Sequence, residues 1–432
     1  MSDARDISDQ SATPPSGASD DASAPAPAAK AAAPKVPLLE LRNGLPPITE
    51  TSEALAEVAA ALAEGTGPLA VDAERASGYR YSARAYLVQL RRVGSGTALV
   101  DPIAFENLDP LAHVLDGPEW ILHAASQDLP CLTEIGLRPQ SLFDTELAGR
   151  LLGYPRVGLA TLVDEILGHR LRKEHSAVDW STRPLPDPWL EYAALDVEPL
   201  VDLREVLKEQ LVETEKWDWA QEEFTHLLSL PRAEPRPEPW RRTSGLHRVR
   251  GRRALAAVRA LWTARDEIAE RRDVTPGRII PDSAIIEAAV GSPRDRTSLL
   301  ALRGFHGRGA HRYAATWLDA LQEARDLPER ELPAAAARYD GPPPPRAWAE
   351  KDPAAAARLS QARSALTELA KELNLPVENL MTPDFVRRLL WQPPADADEA
   401  AVEVVLRGYG ARRWQVGLTS EILATAIAEH PS

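Results

Sequence analysis

The pattern of apolar and polar positions divides the chain into a region of alternating strands and helices and a region of helices alone. Residues 69–74 form a short apolar run entered through Gly67 and Pro68, which predicts a buried strand. Residues 120–129 predict a second apolar strand that leads into the start of a helix. The stretch 189–197 is rich in alanine and leucine and predicts a helix. The first region therefore predicts an α/β domain.

The second region contains an internal repeat of about 80 residues. Residues 269–280 align with residues 370–381, and residues 302–305 (LRGF) align with residues 406–409 (LRGY), in the same order and at nearly the same spacing. Each copy predicts a long amphipathic helix, a turn marked by proline, short helices, and a glycine turn before a final helix. The repeat therefore predicts two all-α domains.

Proline-rich stretches mark the boundaries of these regions, at residues 231–239 and at residues 332–345. The predicted segments are, in order, a disordered tail at 1–36, an α/β domain at 37–230, a linker at 231–245, a helical domain at 246–327, a proline-rich linker at 328–350 and a second helical domain at 351–432.

The tail, the hydropathy and the cysteine count exclude several classes of protein. Residues 1–36 are almost entirely alanine, serine, proline, aspartate and glycine, which cannot form a core and do not resemble a secretory signal. No apolar run approaches the roughly 20 residues that a membrane helix needs. The single cysteine, Cys131, excludes an internal disulfide and favours a reducing compartment. We therefore expect a cytoplasmic protein with no membrane partner. As a separate expectation, we predict a monomer.

Several acidic side chains lie on predicted buried elements, where an ionised carboxylate is energetically unfavourable. Asp72 and Glu74 are two residues apart on the predicted strand, so both point to the same face. Two carboxylates on one face of a buried strand repel each other unless a cation holds them. Tyr192 and Asp196 are four residues apart and share one face of the predicted helix, and Asp128 lies near the start of the helix after the second strand. The pattern predicts a site for hard divalent cations.

Such a site suits the hydrolysis of a phosphodiester. The reaction needs a hydroxide nucleophile, stabilisation of added negative charge, and relief of a leaving 3′ oxygen. Two divalent ions about 3.5–4 Å apart can provide all three. Magnesium takes oxygen ligands and keeps several waters, so carboxylates can hold it without histidine or cysteine. We therefore expect two divalent metal ions, Mg²⁺ or Mn²⁺, as cofactors.

The motifs and the sequences around them resemble a known nuclease family. D-x-E on a strand, then H-x4-D-L, then Y-x3-D on a late helix are similar to the three exonuclease motifs of the DEDD superfamily, in its tyrosine-bearing branch. Further sequences narrow the resemblance to ribonuclease D. They are residues 87–90 (LVQL), 123–129 (HAASQDL), 143–145 (FDT) and 179–185 (DWSTRPL).

The resemblance implies a ribonuclease H-like exonuclease domain with a mixed sheet and helices on both faces. It implies that Asp72 bridges both metal ions. Glu74 and Asp196 would hold the ion that activates water, and Asp128 would hold the second ion, partly through water. Tyr192 would orient the attacking water, because an ordinary tyrosine pKa of about 10 makes it a poor base at neutral pH.

The chain departs from the family's pattern next to the first two acids. The family usually has threonine between them and an aromatic residue after them, whereas this chain has Ala73 and Arg75. The carboxylates are intact, so the expected set of metal ligands is complete. Contacts to the substrate next to them are expected to differ from those of the family.

The helical region resembles the HRDC domain, which RecQ-type helicases and ribonuclease D share. Residues 262–269 (WTARDEIA) and 279–282 (IIPD) carry this resemblance. The second copy is more diverged. It has residues 382–384 (TPD) where the first copy has Pro281 and Asp282. A nuclease domain followed by two such copies is the arrangement of bacterial ribonuclease D.

The net charge of −14 argues at first against a nucleic-acid partner, because basic side chains neutralise phosphates. Arginine is nevertheless dense in residues 241–253 and near the glycine turns. Charge runs are also common on solvated faces, and that alternative stays open. The candidate nucleic-acid-binding residues are Arg248, Arg250, Arg252, Arg253, Arg303 and Arg308.

We therefore expect a 3′–5′ exoribonuclease that releases nucleoside 5′-monophosphates from single-stranded RNA 3′ ends, with tRNA precursors as the expected substrate. Two alternatives stay open: a DNA 3′–5′ exonuclease of repair, and a catalytically silent nucleic-acid-binding scaffold. Matched RNA and DNA oligonucleotides with magnesium distinguish the first alternative. The intact set of acids argues against the second.

Overall fold

The computed structural model describes residues 36–172, 175, 177–231, 234, 236–335 and 341–431. Except for its last position, the tail predicted at 1–36 lies outside the described residues, as do parts of the two predicted linkers. Within the described part of the chain, no helix is long and apolar enough to cross a membrane.

The α/β region contains a six-stranded sheet among the described residues. Its elements are β1 (Ile48–Thr49), α1 (Ser52–Glu64), β2 (Thr66–Arg75), β3 (Ala85–Val93), β4 (Gly96–Val100), α2 (Asp109–Leu115), β5 (Trp120–Leu122), α3 (Leu129–Glu134), β6 (Leu142–Asp144), α4 (Thr145–Leu151), α5 (Leu159–Leu167), α6 (Asp187–Val197), α7 (Leu200–Glu213) and α8 (Trp217–Ser229). The strand order is β1-β4-β3-β2-β5-β6. Strands β2, β3 and β4 pair antiparallel, whereas the pairs β1–β4, β2–β5 and β5–β6 are parallel. The mixed sheet confirms the predicted fold class.

Both faces of the sheet are covered. On β3, Leu87 packs with Trp180 and with apolar residues of α6 on one face. Its neighbour Val88 belongs to the larger core on the other face, together with residues of α1, α4 and α7. This alternation is that of a central strand whose successive side chains point to opposite sides. Helix α6 therefore lies on the face of the sheet opposite to the larger core.

The first helical domain has its own apolar core, which includes Trp317. Its helices are α9 (Arg252–Arg272), α10 (Pro276–Ile279), α11 (Asp282–Gly291), α12 (Arg296–Leu300), α13 (Arg308–Arg312) and α14 (Ala314–Asp326). The glycine turn of the repeat is needed for close packing. A Cβ at Gly304 would lie 2.5 Å from the Cα of Ala284, and one at Gly309 would lie 2.4 Å from the carbonyl oxygen of Ile279.

The last helical domain follows the same plan. Its helices are α15 (Trp348–Lys351), α16 (Pro353–Glu372), α17 (Val377–Leu380), α18 (Pro383–Trp391), α19 (Glu399–Gly408) and α20 (Arg413–Glu429). The long helices α9 and α16 are each followed by a residue with positive φ, Asp273 at 43° and Asn374 at 47°. A four-residue helix, α10 or α17, comes next. The sequence repeat therefore corresponds to a repeated structural unit.

The last helical domain shares its core with the α/β domain. A single apolar cluster extends from α1 to α20. Across the contact, Trp219 of α8 stacks on Trp414 of α20, with ring centroids 4.9 Å apart and an interplanar angle of 11°. The buried ammonium of Lys216 donates hydrogen bonds to the carbonyl oxygens of Leu151 at 2.7 Å and Leu373 at 2.6 Å. The two domains are therefore joined by apolar packing and by buried polar contacts.

Candidate active site

Strand β2 positions the first two acids of the candidate site. Asp72 lies opposite Gln89, and Glu74 lies opposite Leu87 on β3. Directly opposite side chains lie on the same face of a sheet, and Leu87 packs toward α6. Both carboxylates therefore point to the face that α6 covers.

Helix α6 brings Tyr192 and Asp196 to the same place. Burial, and after it the charge of the Asp196 carboxylate one turn later, raises the pKa of the Tyr192 hydroxyl, so the two groups are close neighbours. Single carboxylate oxygens of Asp72, Glu74 and Asp196 all lie within 4.8 Å of one another. Acids that are far apart in the sequence thus form one cluster, because α6 packs across β2.

Asp128 reaches the cluster from the end of β5, the parallel neighbour of β2. It follows the turn Ala125–Gln127 and precedes α3. Ala124 begins this turn in the left-handed conformation, with φ of 60°. The buried carboxylate of Asp144 fixes the turn by accepting hydrogen bonds from the N–H groups of Ala124 at 3.1 Å and Ala125 at 2.8 Å. Asp144 also caps the first turn of α4, so it positions the backbone that carries Asp128.

Burial raises the pKa of all four clustered acids and is the largest cause for each, and repulsion by neighbouring carboxylates adds to it for Glu74, Asp128 and Asp196. The pKa of Asp72 is raised to about 6, that of Asp128 to about 8 and that of Glu74 to about 10. The pKa of Asp196 lies well above its usual value, and the charge of Asp72 contributes to that shift. Carboxylates that resist ionisation in this way are stabilised by cations, and oxygen donors suit a hard divalent ion. The residues present therefore fit the metal that the sequence predicts.

Arg75 adds a cation to this cluster. Its Nη2 atom lies 3.3 Å from Oδ1 of Asp128. The guanidinium lowers the pKa of Asp72, Glu74 and Asp128, against the larger effect of burial. In the sequence, Arg75 is visible only as a departure from the family's pattern. The sequence feature that could have indicated this contact is a basic residue directly after Asp72 and Glu74, the two acids of the strand.

An aromatic cluster supports the tyrosine of α6. Trp180 is fully buried, and its ring centroid lies 5.7 Å from that of Trp189 and 6.5 Å from that of Tyr192. The loop that carries Trp180 is anchored by Arg183, whose Nε donates a hydrogen bond to Oδ2 of Asp101 at 2.6 Å. Packing around the Tyr192 ring restricts the directions in which its hydroxyl can point.

The first helical domain holds the connection between β2 and β3. The Asp273 carboxylate accepts hydrogen bonds from the main-chain N–H groups of Tyr81 at 3.2 Å and Ser82 at 2.9 Å. The Thr275 N–H donates to the Tyr79 carbonyl oxygen at 3.0 Å. Because this connection begins directly after Arg75, the helical domain restrains one border of the candidate site.

The same connection also contacts the loop before α6. The Tyr79 hydroxyl donates to the carbonyl oxygen of Ala177 at 3.3 Å, and Arg80 Nε donates to Ser181 Oγ at 2.7 Å. The Arg278 guanidinium of the helical domain lies 4.2 Å from the centroid of the Tyr79 ring. The connection thus links the helical domain to two segments that build the site.

The candidate nucleic-acid-binding arginines fall into two groups. Arg252 donates three hydrogen bonds to carbonyl oxygens of residues 329–333, and Arg253 donates to carbonyl oxygens at the end of α14. These guanidinium groups stabilise the helical domain itself. Arg250 donates to the carbonyl oxygen of His247. Arg248, Arg250, Arg303 and Arg308 are exposed, and Arg252 is exposed as well despite its hydrogen bonds.

The domain that carries the acid cluster is similar to known 3′–5′ exonucleases. Residues 46–212 match the family described as 3′–5′ exonuclease, and residues 254–321 match the HRDC domain. Residues 341–427 match the family described as 3′ to 5′ exonuclease C-terminal domain. The chain belongs to the ribonuclease D family. It is 34% identical over 310 residues to the ribonuclease D of Acidiphilium cryptum, covering 69% of this chain and 77% of that protein.

Other relatives agree with this membership. The chain is 37% identical over 247 residues to the ribonuclease D of Granulibacter bethesdensis, but it spans only 61% of that protein's length. A crystal structure of a protein from Bifidobacterium adolescentis superposes with a TM-score of 0.84 at 38% identity, covering 91% of this chain and all of that one. The Escherichia coli ribonuclease D structure gives a TM-score of 0.66 at 25% identity, covering 89% of this chain and 99% of that one.

Proposed function

We propose that the protein is a divalent-metal-dependent 3′–5′ exoribonuclease that releases nucleoside 5′-monophosphates one at a time. The observation that carries the proposal is the convergence of Asp72, Glu74 and Asp196 within 4.8 Å, with the Tyr192 hydroxyl next to Asp196. Family membership supports the same reaction. A catalytically silent scaffold would have no need for buried acids of raised pKa at one place.

Asp72, Glu74, Asp128 and Asp196 are the residues that would hold two divalent ions. When bound, such ions supply an activated water and stabilise the charge that develops on the phosphate and on the leaving 3′ oxygen. The four carboxylates contribute the oxygen ligands, and strand β2 fixes two of them rigidly. Asp128 reaches the site from a helix start, which Asp144 holds in place.

Tyr192 keeps its proton and acts by orientation. Burial, with the neighbouring charges of Asp196 and Glu74, raises the pKa of its hydroxyl far above the ordinary value. A hydroxyl of that kind cannot serve as a base at neutral pH. It keeps a proton that it can donate in a hydrogen bond, and the packing of Trp180 against its ring keeps this donor at the edge of the acid cluster. In the complex we expect it to orient the attacking water.

Structured RNA such as tRNA precursors is the substrate class that we propose. The Escherichia coli relative is described as an exoribonuclease involved in structured RNA processing. In this chain, the exposed arginines Arg248, Arg303 and Arg308 lie outside the catalytic domain, where they could contact the phosphates of a folded RNA. A cytoplasmic, monomeric protein stays our prediction. The buried thiol of Cys131, whose pKa is raised to about 12 by burial, fits any reducing compartment.

Matched oligonucleotides test the proposal. Single-stranded RNA and DNA of one sequence, each labelled at the 5′ end, are incubated with the full-length protein in Mg²⁺ or in EDTA. We expect a ladder of RNA products shortened from the 3′ end, release of 5′-monophosphates, and no cleavage in EDTA. Faster degradation of the DNA would instead support the repair nuclease.

A pair of variants on one helix controls this experiment. Asp196→Asn removes a proposed metal ligand and should abolish cleavage. Asp187→Asn removes an exposed acid from the first turn of α6 and should leave the rate unchanged. Equal rates for the two variants would contradict the assignment of the acid cluster to catalysis.

A further inference from the structure

The guanidinium of Arg75 enters the acid cluster from its solvent edge. Arg75 is the last residue of β2, where the pairing of β2 with β3 shifts in register between Glu74 and Arg75. The side chain is 30% exposed, whereas that of its partner Asp128 is only 8% exposed. The cation therefore stays connected to solvent while its partner carboxylate is almost fully buried.

This contact is the one ion pair that the four clustered acids make with a basic side chain in the described part of the chain. Among the residues that the structure describes, Asp72, Glu74 and Asp196 face one another and form no salt bridge. An unpaired buried charge is costly, so the pair with Arg75 contributes most when no metal is bound. Asp128, however, is also a proposed metal ligand.

A divalent ion and a guanidinium compete for the same carboxylate. Both need the oxygens of Asp128, and two cations in one small site repel each other. We propose that Arg75 is a built-in counter-ion of Asp128, which a divalent ion must displace, so that this residue sets the metal concentration at which the site fills. The inference rests on the proposed metal site and adds a residue that the family's motif does not contain.

Metal titration without RNA tests the inference. Binding of Mg²⁺ alone to the full-length protein is measured by calorimetry, and melting temperatures are recorded in EDTA and in Mg²⁺. Arg75→Gln should bind Mg²⁺ more tightly, on the order of tenfold, because a nearby positive charge has been removed. Its melting temperature in EDTA should fall, because Asp128 has lost its partner. The increase in melting temperature from EDTA to Mg²⁺ should be larger for Arg75→Gln than for the wild type.

Three further variants separate this role from a general effect. Arg84→Gln removes the same charge from an exposed position in the β2–β3 connection and should change Mg²⁺ affinity less than about twofold. Arg75→Lys keeps the charge and should stay within about threefold of the wild type. In an Asp128→Asn background, Arg75→Gln should no longer increase the affinity, because the competition has been removed.

Weaker or unchanged Mg²⁺ binding in Arg75→Gln would overturn the inference, because a residue that merely holds Asp128 in place would lower affinity when lost. An equal increase in Arg84→Gln would overturn it as well, since the effect would then be one of overall charge. Absence of Mg²⁺ binding to the wild type and to every variant would overturn the proposed function and this inference together.

Discussion

The rings of Trp219 and Trp414 stack with their centroids 4.9 Å apart, although one belongs to the α/β domain and the other to α20 of the second helical domain. Trp414 is nearly buried, and its indole N–H donates to Glu223 Oε1 at 2.9 Å. The contact continues the apolar core of the α/β domain. Covalent continuity alone does not explain this arrangement, because the first helical domain lies between the two in sequence.

Truncation of Trp414 should therefore destabilise the whole unit. Trp414→Ala is expected to lower the free energy of unfolding by about 3–5 kcal/mol, the usual cost of removing a large buried aromatic side chain. Urea denaturation followed by circular dichroism measures it. Val404→Ala, on an exposed position of α19, is the matched control and should cost less than about 0.5 kcal/mol. A cost below about 1 kcal/mol for Trp414→Ala would show that the shared core is energetically unimportant.

Metal affinity should depend on pH in a defined direction. Without metal, Glu74, with its pKa raised to about 10 chiefly by burial, carries a proton at neutral pH. Metal binding requires the ionised carboxylates and so releases protons. Affinity for Mg²⁺ should rise between roughly pH 6 and 9, and calorimetry in two buffers of different ionisation enthalpy counts the protons released.

Stability in EDTA should change in the opposite direction. When folding raises the pKa of a carboxyl, the folded protein binds more protons than the unfolded chain at any pH between the unfolded and the folded pKa. The free energy of unfolding therefore falls as the pH increases through that interval. The metal-free protein should therefore melt at lower temperature as the pH rises through the same range, and Glu74→Gln should weaken that dependence. A melting temperature that increases with pH in EDTA would contradict the raised pKa values.

Loss of the Tyr192 hydroxyl should slow cleavage without removing the metal. Tyr192→Phe is expected to lower the rate by about 10²–10⁴-fold, the usual scale for a positioned proton-handling group. Single-turnover cleavage of a short RNA and Mg²⁺ calorimetry provide the two measurements. A matching loss of Mg²⁺ affinity would instead place the hydroxyl among the metal ligands.

Breaking the contact at Asp273 should affect the chemistry even on a substrate too short to reach the helical domain. Asp273→Ala frees the β2–β3 connection, and small displacements of an active site cost about tenfold to a hundredfold in rate. Hydrolysis of a dinucleotide by full-length variants measures it, with the exposed Asp319→Asn of the same domain as the control. Unchanged dinucleotide hydrolysis in Asp273→Ala would mean that this contact has no catalytic role.

Arg308 and Arg252 should respond differently to substitution, because Arg252 already donates hydrogen bonds within its own domain. Arg308→Gln should weaken RNA binding and reduce the slope of log affinity against log salt by about 1, as expected for one lost phosphate contact. Arg252→Gln should leave that slope unchanged and lower the melting temperature, because its donors bind carbonyl oxygens of its own domain. An equal change in this slope for Arg308→Gln and Arg252→Gln would contradict the different roles assigned to the two arginines.

Features that depend on the local repeat of a strand or a helix were predicted correctly from the sequence. Two residues on a strand share a face, so the common orientation of Asp72 and Glu74 followed from their spacing. The pairing of Tyr192 with Asp196 followed in the same way from the helical repeat. The mixed sheet and the helical region came from the family resemblance as much as from the pattern.

What the sequence did not predict are contacts between distant segments. Hydrophobic patterns show which faces are buried but not what they pack against, so the shared core of the first and last domains was not foreseen. Asp273 and the N–H groups of Tyr81 and Ser82 are separated by about 190 residues, and a carboxylate that accepts main-chain N–H groups leaves no periodic signal. The Arg75–Asp128 ion pair was not predicted either, because it also joins two segments that are distant in the sequence.

The shared core also has a consequence for synthesis of the protein. The ribosome releases the catalytic strands long before it releases α20, which carries Trp414. Until then, the apolar side of α8 has no partner, and the β2–β3 connection awaits Asp273. Long-range contacts of this kind slow folding and leave apolar surface exposed to chaperones and to aggregation. The nascent nuclease should therefore complete its core only after α20 has left the ribosome, and ribosomes stalled before α20 should carry a chain that is sensitive to protease.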